Sequence, residues 1–550
     1  MTYGRKSTPR RAGTRLSGRF SARLLGCLTL AAVAWACGNS SPAATPSAGP
    51  SLSPSPVPTA TPSPTPFVTP VPTPTTTPIV TATFPVAVVV HYDDDRLSLT
   101  SDEVKAAITG GKVTVPCEVS TVQLSGATLA VPPSRPCLPA DKIAAAVFDK
   151  SVSMALLPPG LVVPSVKVLE IGSADLFGGP SHRSVAYPLT ATGTVPSNWA
   201  AYDPTNVRTL ISTGDTCPDA GFPHMAVTLG HGWAWVLSGG TVHYRGTFMD
   251  TMYSGPDGNG WPVPIIARNG DSGKVSALIS DNDVSANDFE CPMVSTWKIN
   301  TSGVKVFTID PRVANLLATK GGVKVVTLGS NHITDAGRNG VRETIAYLDA
   351  AGIKHTGAGD NLTAALAPAV VDVRGIKFAF VGWDDISGSR AATDTLPGAA
   401  PMTDQNVCNS LKAAKQVADI VIAMPQWGEP EYHATMTKKQ VDQRALFYSC
   451  GADDILGSGT HWASWASILP GPSGPQFAIG SHGNFLFPQS WSRQTMEGVV
   501  VEATFYGKTL VQFRLHPYVV YENAQPNLLN PTTDGKYVLN QVWSVSEVKQ

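Results

Sequence analysis

Four short polar stretches each follow an apolar run. Ser330-Asn331-His332 comes after Val323–Leu328, Trp383-Asp384-Asp385 after Lys377–Val381, Gln426-Trp427-Gly428-Glu429 after Ile420–Met424, and Gly459-Thr460-His461-Trp462 after Asp454–Leu456. If the apolar runs are strands, these histidines, amides and carboxylates stand at carboxyl ends, where open α/β sheets bind ligands. Imidazole and oxygen donors suit metal-assisted hydrolysis, and the sequence has no Cys-x-x-Cys to suggest a thiolate cluster. A single histidine is more often an ordinary hydrogen-bonded residue. Their convergence is what singles them out.

The elements that must position these residues are legible between 207 and 520. Asp335–Ala351 reads as a helix with Val341, Ile345 and Leu348 on one face, and Asp404–Ala418 as another burying Val407, Leu411, Ala414 and Ala418. Thr437-x-x-Gln440 is a capping box opening a helix that runs to Cys450. Gly498–Tyr506 and Leu510–Leu515 read as a closing hairpin. This alternation predicts an α/β fold, a layered sheet domain with helices on both faces, over residues 206–525, followed by a tail, 526–550. Residues 84–205 read as a small α/β domain, with a strand from Phe84 to Val90 and a helix over Leu99–Gly110 capped by Ser101. Ser98–Val104 and Gly110–Val113 resemble part of a phosphate-type periplasmic binding domain. A packing or spacer unit is the favoured reading of this region, and one lobe of a solute receptor the alternative.

The 550-residue chain is 43 % apolar and 15 % charged, with a net charge of −1. Seven of its basic side chains fall within residues 1–23, which leaves the remainder at −8. A mildly acidic folded part argues against nucleic acid as a partner. The basic stretch and the apolar run Leu24–Ala36 form a signal segment, 1–36, with Cys37 the expected lipidation site. Residues 37–83, rich in Pro, Ser and Thr, read as a stiff stalk. Export to the extracytoplasmic face of the membrane through a lipid anchor is the expectation, with plain secretion as the alternative. Cys27 and Cys37 apart, six cysteines remain, an even number that suits disulfides in an exported protein. Cys117–Cys137 would close a short loop, and Cys408–Cys450 would staple two successive helices.

Further segments recur in one order along the chain: Gly214-Asp215, Asn287-Asp288-Phe289-Glu290-Cys291-Pro292, Asn331-His332-x-x-Asp335-x-Gly337, Gly357-Ala358-Gly359-Asp360-Asn361-Leu362, Gln426-Trp427-Gly428, Gly457-x-x-x-His461 and Gly483-Asn484-Phe485. Through them the chain resembles the CapA family of capsule and poly-γ-glutamate synthesis proteins, whose fold is of the calcineurin-type metallophosphatase kind. The resemblance implies Asp215, Glu290, Asn331 and His461 as metal ligands. It implies His332 as the group that protonates a leaving oxygen or stabilises substrate, with Asp335 beside it, at a position that would also cap the following helix. The implied cofactor is a divalent metal (Mn, Zn, Mg or Fe). Two departures bear on it. The family has His-Trp-Gly where Gln426 stands, and Gly-x-His-x-His where Gly459 stands. With two imidazoles gone, one weakly held ion or none is expected, with Gln426, His433 and His482 as candidate replacements. If Asp215 and Glu290 share a site, Cys217 and Cys291 come close enough to pair.

Three functions follow from the resemblance and the N-terminal unit. The first is a surface lipoprotein of capsule or poly-γ-glutamate biosynthesis and attachment with a degenerate metal-dependent hydrolase site. The second is a non-catalytic module that binds or exports a polyglutamate or polysaccharide with the same cleft. The third is a solute-binding lipoprotein. The Gly- and Trp-rich stretch from Phe222 to Val275 reads as a packed β-excursion, or as a cover over substrate. Trp427, Trp462, Trp465 and Trp491 read as core, or as the wall of a groove.

Overall fold

A computed structural model describes residues 77–132, 137–251, 253–255, 258–299 and 306–549. The expected signal segment, Cys37 and the stalk up to residue 76 lie outside them.

Two sheets pack face to face. In the larger, the strands run in the spatial order Trp261–Arg268, Thr241–Asp250, Gln525–Leu529, Thr509–Tyr521, Glu497–Tyr506, Val207–Thr216, Val284–Phe289, Val325–Thr327 and Lys354–Thr356, with Asn484–Leu486 paired to the end of Val207–Thr216. The last four in that order are mutually parallel. The second sheet runs Ala369–Val373, Ile376–Asp384, Ile420–Gln426, Asp454–Leu456, Gly474–Ile479, Ala466–Gly471 and Glu547–Val548, with a parallel centre. Central parallel strands are covered on both faces, which is why Val207–Thr216 and Ile420–Gln426 are buried at every position.

Side-chain alternation sorts the core into layers. Leu210, Val284, Ala286 and Val325 of the larger sheet meet Phe378, Phe380, Ile420 and Ile422 of the smaller. The opposite face of the larger sheet, with Ile211, Phe289 and Val326, is covered by helices Arg312–Thr319 and Gly337–Ala350 through Val313, Leu317, Val341 and Leu348. The opposite face of the smaller, with Ala379, Val381, Val421 and Ala423, is covered by Asp404–Val417 and Lys438–Cys450 through Val407, Leu411, Ala414 and Phe447. The layered domain with helices on both faces is therefore present, built from two sheets rather than one. A disulfide, Cys408–Cys450, ties the last two helices together.

Several boundaries move. Ile79–Pro85 already pairs with Leu189–Pro196, so the fold begins inside the stretch expected to be stalk. The expected tail is structural. Gln525–Leu529 is a strand of the larger sheet, helix Lys536–Trp543 buries Val538, Leu539 and Val542 between the sheets, and Glu547–Val548 pairs with the smaller. Thr100, not Ser101, caps the helix Ser101–Thr109, in a capping box with Glu103. The box at Thr437 and Gln440 is formed as expected.

The region 79–200 carries a four-stranded and a three-stranded sheet and the Cys117–Cys137 disulfide. It docks on the hairpin 497–521. Val207 and Val511 join its apolar core, and the buried Arg514 guanidinium bonds to the Asp175 carboxylate and, at 2.8 Å, to the Val168 carbonyl.

Candidate metal centre and cavity

Asp215 stands where Val207–Thr216 leaves one partner for another. The strand bulges between Thr213 and Asp215, so that Asp215 lies beside Asp288 on one side and Asn484 on the other. The bulge needs Gly214, because a Cβ there would sit 1.8 Å from the Gly483 carbonyl oxygen. Glu290 follows the neighbouring strand, its N–H donating to the Thr216 carbonyl at 3.0 Å. Two residues beyond Asp215 and one beyond Glu290, Cys217 and Cys291 form the disulfide that closeness of the two acids predicts.

Asp215, Glu290 and His461 offer ligand atoms within 4.8 Å of one another, and all three are buried. His461 Nδ1 lies 3.0 Å from Asp215 Oδ2 and 2.8 Å from Asn484 Oδ1. Burial disfavours its cation, but the Asp215 carboxylate more than offsets this and raises the pKa. Neither oxygen of Glu290 has a hydrogen-bond partner. Burial first, then the Asp215 charge, push its carboxyl well above the usual range. A fully buried carboxylate costs several kcal/mol unless a cation or proton meets it. The donor set, two carboxylates and an imidazole with unmet oxygens, fits a divalent ion.

The sites taken from the smaller sheet fare differently. Gln426 Oε1 accepts from the Asn331 N–H at 2.8 Å, so this amide holds the Asn331 loop instead of replacing an imidazole. His433 is held by the Thr435 and Gly428 carbonyls, at 2.7 and 2.9 Å. His482 lies between Ser212 Oγ and the Gly457 carbonyl, at 2.6 and 3.0 Å, and burial lowers its pKa to about 4. Both ring nitrogens of His433 and of His482 are thus spent on backbone or hydroxyl groups, and the Gln426 oxygen on the Asn331 N–H. Asp335 does not cap a helix either. Helix Gly337–Ala350 starts without a side-chain cap, and Asp335 instead receives the Phe307 N–H at 2.9 Å and contacts His332 Nδ1 at 3.1 Å. Asp384, at the end of its strand, is pushed by burial to about 7.

A cavity of about 950 Å³ opens above the centre, lined by Asn331, His332 and His461 together with Asp219, Glu431 and an aromatic wall of Tyr253, Trp261, Phe307, Tyr432, Phe487 and Trp491. Tyr432 stacks on His461 with ring centres 5.5 Å apart, and Trp491 meets Tyr432 and Trp261 edge-on. Ala220, Tyr432 and His461 have positive φ, a conformation that costs non-glycine residues energy and is held by the surrounding structure at sites of function. The Gly- and Trp-rich insertion is in part the β-excursion expected of it. It is a hairpin on the edge of the larger sheet, and Tyr253 and Trp261 carry it to the cavity rim. Trp427 and Trp465 are core, whereas Trp491 lines the cavity and Trp462 packs on Trp261.

Sequence reasoning passed over Asp288. Its neighbours Asn287 and Glu290 drew the motif, but the register sets its side chain beside Asp215. The two-residue step to Glu290, which puts both on one face of a strand, was the available signal.

Residues 210–489 match the family described as bacterial capsule synthesis protein PGA_cap. The chain belongs to this family. Over 235 residues it is 28 % identical to the capsule biosynthesis protein CapA of Bacillus anthracis, a match covering 42 % of this chain and 56 % of that one. The chain thus spans little more than half the length of that relative. It is 23 % identical over 284 residues to the PGA biosynthesis protein CapA of Bacillus subtilis, covering 50 % and 73 %. Among solved structures, the calcineurin-like phosphoesterase YfkN of Bacillus subtilis is similar over 62 % of this chain and 98 % of that one, with 12 % identity and a TM-score of 0.31.

Proposed function

We propose that this PGA_cap protein is an accessory factor of capsule or poly-γ-glutamate biosynthesis. In this reading it holds a divalent cation at Asp215, Glu290 and His461 and receives a segment of the surface polymer in the cavity above. The observation that carries it is the convergence of those three buried ligands beneath an aromatic-walled cavity of about 950 Å³. Among the described residues the cavity lining contains acids and two histidines and no Lys or Arg. A bound cation is what would make such a site hospitable to an anionic chain. When bound, the ion supplies polarisation of an amide or phosphoryl oxygen.

The chain's own residues have separable roles. The Asp335 carboxylate fixes His332 through Nδ1, leaving Nε2 as the nitrogen that can give or take a proton at the cavity. Phe307 packs edge-on to the same ring and shields that pair. Asn331, held by Gln426, presents its amide to substrate or ion. A binding-only role is the second reading, favoured by the structural use of Gln426, His433 and His482 where metal ligands were sought. Export and anchoring through Cys37 belong to this proposal and would place the cavity outside the cell membrane.

The test is the metal content of the wild type and of Asp215→Asn after exposure to Mn²⁺ and desalting, alongside co-sedimentation with poly-γ-glutamate with and without EDTA. Near-stoichiometric metal lost in the variant, with EDTA-sensitive polymer binding, supports the reading. No metal in the wild type overturns it.

A further inference from the structure

We propose that Asp288 is a cation ligand, the carboxylate of a second divalent position that Glu290 shares with the first. This rests on the cation centre proposed above and adds to it a residue and a donor chemistry.

Asp288 is 3 % exposed and Glu290 0 %, and strand alternation puts Asp288 on the face of Val284 and Ala286, which packs against the smaller sheet. Among the described residues they are the two carboxylates both of whose oxygens are buried without a hydrogen-bond partner. Four other deeply buried acids are met by donors. Asp175 has Arg514, Glu502 has His516, Glu497 has Arg493 and Tyr244, and Asp454 has the Phe477 N–H. Asp288 has only the Ser458 hydroxyl and the Glu290 carboxyl bearing on it, with the charges of Asp215 and Asp384 beyond.

Two adjacent carboxylates shut away from water, with the His461 imidazole near Glu290 already engaged by Asp215, need a positive partner between them. Glu290 has two unmet oxygens, enough for one ion shared with Asp215 and His461 and another shared with Asp288. The second position offers oxygen donors alone, Asp288, Glu290 and Ser458, so it suits a hard ion such as Mg²⁺ or Mn²⁺ over Zn²⁺. An added carboxylate is also how a site that has Gln426 and Gly459 in place of two imidazoles regains ligands.

The experiment titrates the EDTA-stripped full chain with Mn²⁺ by calorimetry and reads the loaded protein by electron paramagnetic resonance for a coupled ion pair. Wild type, Asp288→Asn and Ser458→Ala are compared, with melting in EDTA confirming that each variant folds. The expected result is two Mn²⁺ per wild-type chain and a coupled signal. Asp288→Asn should keep one ion and lose the coupling, and Ser458→Ala should weaken the second ion at least tenfold while sparing the first. A single Mn²⁺ in the wild type, or Asp288→Asn binding like wild type, overturns the second position and leaves the first centre standing. No Mn²⁺ in the wild type removes both.

Discussion

The two sheets bring unequal halves to the site. The rim of the larger sheet supplies Asp215, Asp288 and Glu290, set by strand register, a backbone bulge and a disulfide. The rim of the smaller supplies Gln426, Gly459 and His461, of which His461 brings a side chain to Asp215 and Gly459 a backbone N–H, at 3.0 and 3.4 Å. Three carboxylates stand on the larger rim, two of them in paired strands, against an amide, a glycine and one imidazole on the smaller. A carboxylate between parallel strands has little freedom to drift. Gln426, the last residue of Ile420–Gln426, steadies Asn331 by accepting its N–H.

The sharpest way to break this contrast is at Gly214. Gly214→Ala puts a Cβ 1.8 Å from the Gly483 carbonyl oxygen, and main chain cannot yield as a flexible side chain does. The expected loss of stability is upward of ~4 kcal/mol, read as a drop in denaturant midpoint with loss of metal retention. An unchanged midpoint would mean the Asp215–Asn484 pairing is not what holds the larger rim.

Opening Cys217–Cys291 with a double Cys→Ala change should cost about 2–4 kcal/mol in thermal or urea unfolding. Because Cys291 follows Glu290 directly, cation affinity should fall with it, whereas opening Cys408–Cys450 should lower stability and leave affinity alone. Equal effects of the two on affinity would remove the distinction between rims.

Gln426→His tests the smaller sheet. The Asn331 N–H loses its acceptor, at a cost of about 1 kcal/mol, while an imidazole returns beside the site. Zn²⁺ affinity should rise relative to Mn²⁺ in competition titrations. No change in that ratio would mean position 426 is too far from the ion to matter.

The smallest expected effect is on pH. Burial raises the folded carboxyls of Asp384 to about 7 and Asp454 to about 8. A carboxyl with a higher pKa folded than unfolded stabilises the fold below its unfolded value, and that stability is lost as pH rises through the folded value. His482, lowered to about 4, works in the other direction, its contribution present above about 6.5 and lost as pH falls through 4. Metal-free protein should therefore lose stability from pH 5 to 8, more gently than the two acids alone would give. A midpoint that climbs steadily over that range would contradict the burial of these acids.

The layers were legible because periodicity is local. Val407, Leu411 and Ala414 on one helix and Phe378 and Phe380 on one strand declare their faces without reference to anything distant. The ends were misread because residues 79–83 and 526–550 carry few long apolar runs, and only pairing with remote strands makes them structural.

From sequence alone came the α/β layers, the order of the motifs, the three disulfide pairs and the presence of Asp215, Glu290 and His461 as candidate ligands. The tertiary structure alone decided that the site is shared by two sheets, that Asp335 orients His332, that His433 and His482 are spent on carbonyls and hydroxyls, and that Asp288 joins the acids. Residue type and spacing fix which groups a strand can present. Which of them meet depends on register and on which buried polar atoms are left without a partner, and both are set by contacts between segments far apart in the chain.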